Sequence, residues 1–288
     1  MAQIDYLKSL IKLWQSRPQA EARADRVEYL KKLAQMGSRL AAPRARNADL
    51  ARFVTQIMDR PNDLRWRLLG ANVHRRRALD AQQRRALDTL DTTPDLLGPL
   101  GELRYEPSHS RLIARFLDAT SEPEVAPSLL AEFLALIGKP EATPTDPRNA
   151  TVHAERWFST GRVDISVSLP DHLVFVEVKV DSEEGDDQLG RYWKALKAEA
   201  SHREGILVYL TLHDAKKSSS RVPHVRLTLE TLLAAWLPHA VVGAGPRDYL
   251  ARYLKSLALV MGRCGHGAFD DWSITQQSAA IQLVEGIG

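Results

Sequence analysis

Residues 173–180 read Leu-Val-Phe-Val-Glu-Val-Lys-Val. This density of β-branched and aromatic side chains favours an extended strand. Side chains alternate along a strand, so Glu177 and Lys179 share one face. Charges on an otherwise apolar strand are costly unless each meets a partner. A second β-type run, residues 163–169, contains Val163-Asp164-Ile165, and Pro170, Asp171 and His172 lie between the two runs. If Pro170 and Asp171 form a two-residue turn, the hairpin register puts Asp164 directly opposite Glu177. Direct cross-strand neighbours have Cβ atoms about 4.5–5.5 Å apart. A slip of one residue would turn Asp164 to the other face, so the patch depends on that turn.

Two carboxylates forced together repel each other, and a divalent cation between them removes the repulsion. Oxygen ligands suit Mg²⁺ or Mn²⁺. A lysine beside such an ion can orient or activate water, or stabilise charge developing on a phosphate. Asp164, Glu177 and Lys179 therefore carry the equipment for metal-assisted phosphodiester hydrolysis. The alternative reading of the same residues is a surface Lys–Glu pair with an aspartate beside it.

The rest of the composition narrows the class. With 44% hydrophobic and 26% charged residues, the 288-residue chain is globular rather than disordered. No run of about 18 apolar residues exists, so no transmembrane helix and no membrane partner are expected. Met1–Lys12 is amphipathic and contains Asp5, unlike a signal peptide. The single cysteine, Cys264, excludes a disulfide framework and a cysteine-based zinc site. A cytoplasmic location follows as the expectation. A GxxxxGK[ST] phosphate loop, a GxSxG elbow and His-rich zinc spacing are all absent.

Charge is uneven. Residues 1–100 hold 19 Lys or Arg against 11 Asp or Glu, a balance of about +8, whereas the remainder holds 20 against 25. A basic segment points to a polyanionic partner. Arg65, Arg67, Arg75, Arg76, Arg77, Arg84 and Arg85 are the candidates for gripping nucleic-acid phosphates, each adding a salt-dependent increment. A solvated arginine-rich helix face explains the same runs. Trp66 could stack on a base, although a lone tryptophan is more often core.

The hydrophobic period assigns helices up to about residue 95. Tyr6, Leu10, Leu13 and Trp14 recur at helical spacing, as do Val27, Leu30, Leu33 and Ala34. Further helices are expected at about 47–59 and 78–90, and Leu97-Gly98-Pro99-Leu100-Gly101 reads as a boundary. Beyond it the spacing predicts helices over 108–119 and 126–137, strands over 151–158, 163–169 and 173–180, a helix over 186–200, and a strand over 205–211. A short strand near 224–227 precedes helices at 229–237 and 246–261. This order makes a mixed α/β core with an antiparallel hairpin feeding a crossover. No element is assigned after Gly262.

Asp164, a spacer and Glu177-Val178-Lys179 together resemble the PD-(D/E)XK nuclease superfamily. Gln188 and Tyr192 resemble the QxxxY motif of its RecB-like and Cas4-like branches, and residues at i and i+4 share a helix face. Glu106-Pro107-Ser108-His109-Ser110, Arg162-x-Asp164-Ile165 and Val208-Tyr209-Leu210-Thr211 complete the ordered pattern of one bacterial branch. The match spans roughly residues 102–261. It departs from the family name at one point, since Val163 stands where a proline is usual.

The resemblance implies a restriction-endonuclease-like core, a mixed central sheet flanked by helices, with an all-helical N-terminal region. The corresponding divisions are a basic helical region 1–98, a nuclease domain 99–262 and a tail 263–288. It implies Asp164 and Glu177 as metal ligands, with the Val178 carbonyl as a third and Lys179 as the catalytic lysine. Glu106 is similar to the acid that the first helix supplies to the metal or its waters; a carboxylate favoured by the helix dipole is the plainer reading. Gln188 and Tyr192 would hold the lysine, a water or a substrate phosphate. The implied activity is Mg²⁺- or Mn²⁺-dependent hydrolysis of DNA, in defence against foreign DNA or in repair.

Among the remaining residues, Glu155 either reaches the metal or fixes Arg162, and His109 reads as a packed or capping histidine. The acids Asp181, Glu183, Glu184, Asp186 and Asp187 read as a solvated loop before a helix N-terminus. Three competing functions use the same residues. One is a catalytically silent nucleic-acid-binding protein, another a regulatory protein whose nuclease needs a protein or ligand activator, and the last a nuclease acting on RNA. A homodimer would suit cleavage of both strands of a duplex.

Overall fold

The computed structural model describes residues 64–287, apart from 159–160, 183, 186, 213–217, 219 and 241–244, with the backbone alone for 64–67. The chain divides into two compact units, Met1–Gly70 and Ala71–Gly288. Helix α1 (Leu64–Ala78) is the first described element. The helices expected near Tyr6–Trp14, Val27–Ala34 and 47–59 lie outside the described residues, as do the side chains of Arg65, Trp66 and Arg67.

In the second unit, α2 (Ala81–Thr92), α3 (Glu106–Leu117) and α4 (Ala126–Leu136) precede the strands. These are β1 (Thr151–Phe158), β2 (Gly161–Ser168), β3 (His172–Lys179), β4 (Glu204–Thr211) and β5 (Val225–Thr228). Helix α5 (Gln188–Ala200) joins β3 to β4, and α6 (Leu229–Trp236), α7 (Gly245–Val260) and α8 (Ile274–Glu285) follow β5. The strands form one sheet in the order β1-β2-β3-β4-β5. β1, β2 and β3 pair antiparallel, while β3–β4 and β4–β5 pair parallel. A parallel pair requires a crossover connection, which α5 supplies. Gly205 permits its close approach, because a Cβ there would lie 3.0 Å from Leu196 Cγ. This is the mixed α/β core with flanking helices that the sequence pattern predicts.

The turn that fixes the hairpin is the expected one. The Leu169 N–H donates to the His172 carbonyl at 2.9 Å, leaving Pro170 and Asp171 as the two turn residues. The ladder then pairs Ser168 with Leu173 and Ile165 with Val176. Each sheet face has its own apolar layer. Val174, Val176 and Val178 face the larger one with Ile113, Phe116 and Leu117 of α3 and Trp236 of α6. Leu173 and Phe175 face the smaller one with Leu189 and Leu196 of α5. Alternation along β3 therefore carries Glu177 and Lys179 to the α5 side.

The division of the chain differs from the sequence expectation at both ends. The compact unit begins at Ala71 rather than near residue 99. Leu87 and Leu90 of α2 are buried in the larger core, and the Leu97 N–H donates to Ser256 Oγ of α7 at 3.0 Å. The residues after Gly262 are equally part of the unit. Helix α8 opens with a capping box: Ser273 Oγ accepts from the Gln276 N–H at 3.2 Å, and Gln276 Oε1 accepts from the Ser273 N–H at 3.0 Å. Ala280, Ile281 and Val284 are buried in the same core as α2. Removing residues 263–288 would strip these contacts. A chain ending at Gly262 is expected to lose its cooperative thermal transition by circular dichroism, whereas a dispensable tail would leave the transition unchanged.

Candidate active site beside the β2–β3 hairpin

The three residues that the hairpin was expected to unite do come together. Glu177 and Lys179 are almost fully buried, at 1% and 7% exposure. Lys179 Nζ stands 2.6 Å from Glu177 Oε1. Asp164 is half-buried, and its Oδ2 accepts the Val178 N–H at 2.9 Å. Asp164 thus bonds the backbone of the facing strand where the ladder itself would otherwise continue. Its carboxyl also meets that of Glu177. Glu177 Oε2 is buried with no hydrogen-bond partner.

Alternation breaks beside Asp164. Val163 lies in the α5-side core although Ile165, two residues on, lies in the other. On β1, Ala154 pairs with Ile165 and Arg156 with Val163, and Glu155 between them has φ 54°. The register is the same on both sides of Glu155, so its left-handed backbone twists the strand locally without inserting a residue.

Electrostatics follow from burial and proximity. Burial, reinforced by the Asp164 charge and opposed by Lys179, pushes Glu177 up to about 8. Burial also raises Asp164. For Lys179, burial works to lower the pKa, but the Glu177 carboxylate, with Glu106 and Asp164 beyond it, overrides that and raises it. The lysine stays an ammonium while the carboxyl pair retains a proton well above the usual carboxylate range.

Glu106 opens α3, with Pro107 behind it in the first turn. Its Oε1 accepts the N–H groups of Val180, Asp181 and Ser182 at 2.8, 3.2 and 3.0 Å. Ser182 Oγ donates to both carboxylate oxygens. Burial would raise Glu106, but the bonds from Ser182 and Val180 outweigh it and hold the carboxyl below its ordinary value. Its Oε2 lies 4.0 Å from Lys179 Nζ. Glu106 thus clamps the chain leaving β3 at the edge of the cluster. Ser182 had no sequence signal beyond its nearness to the acidic loop.

Gln188 and Tyr192 lie one turn apart on α5. Gln188 Nε2 donates to Tyr192 Oη at 3.0 Å, and Tyr192 O–H donates to the Arg162 carbonyl at 2.5 Å. Burial first, then the Glu177 charge, keep the tyrosine neutral. The motif therefore ties α5 to β2 two residues before Asp164. His109 is fully buried. Its Nε2 lies 2.8 Å from the Leu103 carbonyl and Nδ1 3.3 Å from Tyr253 Oη, so it is a packing residue, as its sequence setting suggested. Glu155 meets Arg162 at 3.0 Å and Arg111 at 3.4 Å.

Arg75 and Arg76 are engaged elsewhere, and the side chains of Arg65 and Arg67 lie outside the described residues. Arg75 bonds Glu285 of α8, with Nε to Oε1 at 2.8 Å. Arg76 lies 3.7 Å from Asp270 and 4.4 Å above the Phe269 ring. Both serve to fasten the C-terminal segment. Arg77, Arg84 and Arg85 are exposed. Of the acidic loop, Glu183 and Asp186 lie outside the described residues.

Among the described residues there is no cluster of three or more His, Cys, Asp or Glu side chains suited to a metal ion. Two touching carboxylates with one unpartnered oxygen nevertheless form a donor set that fits Mg²⁺, which binds through one or two carboxylates and keeps several waters. The model of the PD-(D/E)XK nuclease superfamily matches residues 95–241, just over half of the chain. The chain belongs to the PD-(D/E)XK nuclease superfamily. Neither a curated protein nor a solved structure matches it. Nucleases of this superfamily generally use divalent metals, in keeping with the donor set.

The raised Glu177 has a consequence for the metal-free nuclease. The folded chain keeps a proton that the unfolded chain releases at about 4.5. Between that pH and about 8, rising pH therefore favours unfolding, by at most about 1.4 kcal/mol per pH unit per proton. Glu177→Gln removes this loss. In thermal melts with EDTA, the variant's advantage over the natural chain should grow from pH 5 to pH 8. An advantage that stays constant across that window would contradict the shift.

Proposed function

We propose that this nuclease hydrolyses DNA phosphodiester bonds with Mg²⁺ or Mn²⁺, in defence against foreign DNA or in DNA repair. The observation that carries the reading is the buried Glu177 with the half-buried Asp164 close enough to raise its proton affinity and Lys179 Nζ 2.6 Å from it. A carboxyl pair without a cation is held at the cost of a retained proton, and burying unneutralised charge is expensive. The residues to hold the ion are Asp164, Glu177 and the Val178 carbonyl. A bound ion would polarise the scissile phosphate and favour attack by water.

The chain's own groups supply the rest. Lys179 keeps its proton and presents an ammonium where negative charge develops on the phosphate. Glu106 sets the exit of β3 and so the reach of Lys179. Gln188 braces Tyr192, which holds the Arg162 carbonyl and so ties β2 to α5 two residues before Asp164. A polyanionic substrate also suits the basic composition of residues 1–100, with Arg77, Arg84 and Arg85 exposed to meet it.

The test is cleavage of plasmid DNA, linear single strands and RNA by the full chain with Mg²⁺, Mn²⁺ or EDTA. Activity should require metal and favour DNA. Lys179→Ala and Asp164→Ala should each lower it at least about 100-fold. Metal-independent cleavage, or full activity in both variants, would overturn the assignment. Metal binding without cleavage would leave an enzyme that needs an activator.

A further inference from the structure

A second group of side chains lies near the closed end of the β1–β2 hairpin, on the strand pair that carries Asp164. Glu155 is its centre. Its φ of 54° is a left-handed conformation that a non-glycine residue adopts at a cost, and such residues cluster at functional sites. Its side chain is only 14% exposed. Oε2 receives Arg162 from β2 and Arg111 from α3, and Oε1 is buried with no hydrogen-bond partner. The arginine side chains themselves are 43% and 61% exposed.

Two links join this group to the site. Glu155 lies between the pairs Ala154–Ile165 and Arg156–Val163, across from Asp164. Arg162 is held at both ends, by Glu155 at the guanidinium and by Tyr192 at the carbonyl. A guanidinium fixed in this way loses less freedom when it binds phosphate. Directly across from Arg162 in the ladder stands Trp157, whose residue is 75% exposed. Cross-strand partners share a face, so an indole and a guanidinium stand side by side.

Charge decides what such a surface accepts. Two guanidiniums against one carboxylate leave a net positive charge, and each guanidinium has five donors, of which Glu155 takes one from each. Phosphate is the complementary ligand. An exposed indole offers its ring to a base, which must be unpaired to stack on it.

We propose that Arg111, Arg162 and Trp157 form a strand-binding subsite on the strand pair that carries Asp164. The arginines grip a backbone phosphate, Trp157 stacks an unpaired base, and Glu155 is the positioning residue that aims the arginines. The substrate segment it selects is single-stranded. The subsite rests on the nuclease reading but is tested without cleavage.

The experiment measures binding of a labelled single-stranded DNA oligonucleotide and its duplex by fluorescence anisotropy. It uses the full chain carrying Lys179→Ala, in EDTA, over a series of salt concentrations. Arg111→Ala with Arg162→Ala should weaken single-strand binding at least about tenfold. It should also reduce the slope of log K against log salt by about 0.7, one phosphate's worth. Trp157→Ala should weaken single-strand binding about tenfold and leave duplex binding unchanged. Glu155→Gln separates positioning from charge. Removing a negative charge alone would tighten binding, whereas loss of aim weakens it with the slope unchanged.

Thermal melts matching the Lys179→Ala parent ensure that a loss reflects binding. Unchanged affinity and slope in the double arginine variant would overturn the proposal, as would a parent chain that binds no strand. Cleavage by the natural chain is read separately. If it cuts DNA while these variants bind as the parent does, the subsite alone fails. If the subsite effects hold and the natural chain neither binds metal nor cleaves, the metal-dependent reading of the catalytic site fails instead.

Discussion

One contact organises the molecule's chemistry: two carboxylates, Asp164 and Glu177, brought together on neighbouring strands beside one ammonium. The sheet brings them close together, and closeness at low polarity is what raises their proton affinity. Much of the surrounding structure holds this arrangement in place. Asp164 accepts the Val178 N–H and so locks β2 to β3. Glu106 gathers three backbone N–H groups just after Lys179. Gln188 and Tyr192 tether β2 from the other side. Charge that would weaken an ordinary core is concentrated here and restrained from three directions.

How far this was legible in the sequence depended on the range of the interaction. Pro170-Asp171 is a local signal with a single consequence, and the ladder follows it, so the approach of Asp164 to Glu177 is legible in the sequence. The order of strands and the α5 crossover were equally readable, because hydrophobic period is local. Glu106 could be named only through family resemblance, and its three backbone partners could not be named at all. They depend on the chain returning to α3 after β3, a contact between residues more than 70 positions apart. Gln188 and Tyr192 were seen to share a helix face, but the carbonyl of Arg162 as their target was not foreseeable from spacing.

The ends of the unit show the opposite failure, in which a local signal was present and went unused. Ser273-Ile274-Thr275-Gln276 has the spacing of a capping box, and Ile281 and Val284 continue an apolar stripe after it, yet no helix was assigned beyond Gly262. The arginine runs misled in a different manner. Arg75 and Arg76 are basic residues on a basic helix, and composition alone does not reveal that Glu285 and Asp270 come back to meet them. Net charge describes the surface available to a polyanion only after such internal pairs have been subtracted.

The same return of the chain has a topological meaning. Helices α2 and α8, drawn from the two ends of the folded unit, pack side by side, and Asn72 donates to the Ile274 carbonyl across the junction. A fold whose entry and exit are neighbours behaves as a closed module. Its ends can be joined and reopened elsewhere, or spliced into a surface loop of a host protein, with only a short connection to bridge. For the catalytic sheet, this means that the linkages by which it is carried lie along one seam, and the hairpin bearing Trp157 belongs to a different part of the topology.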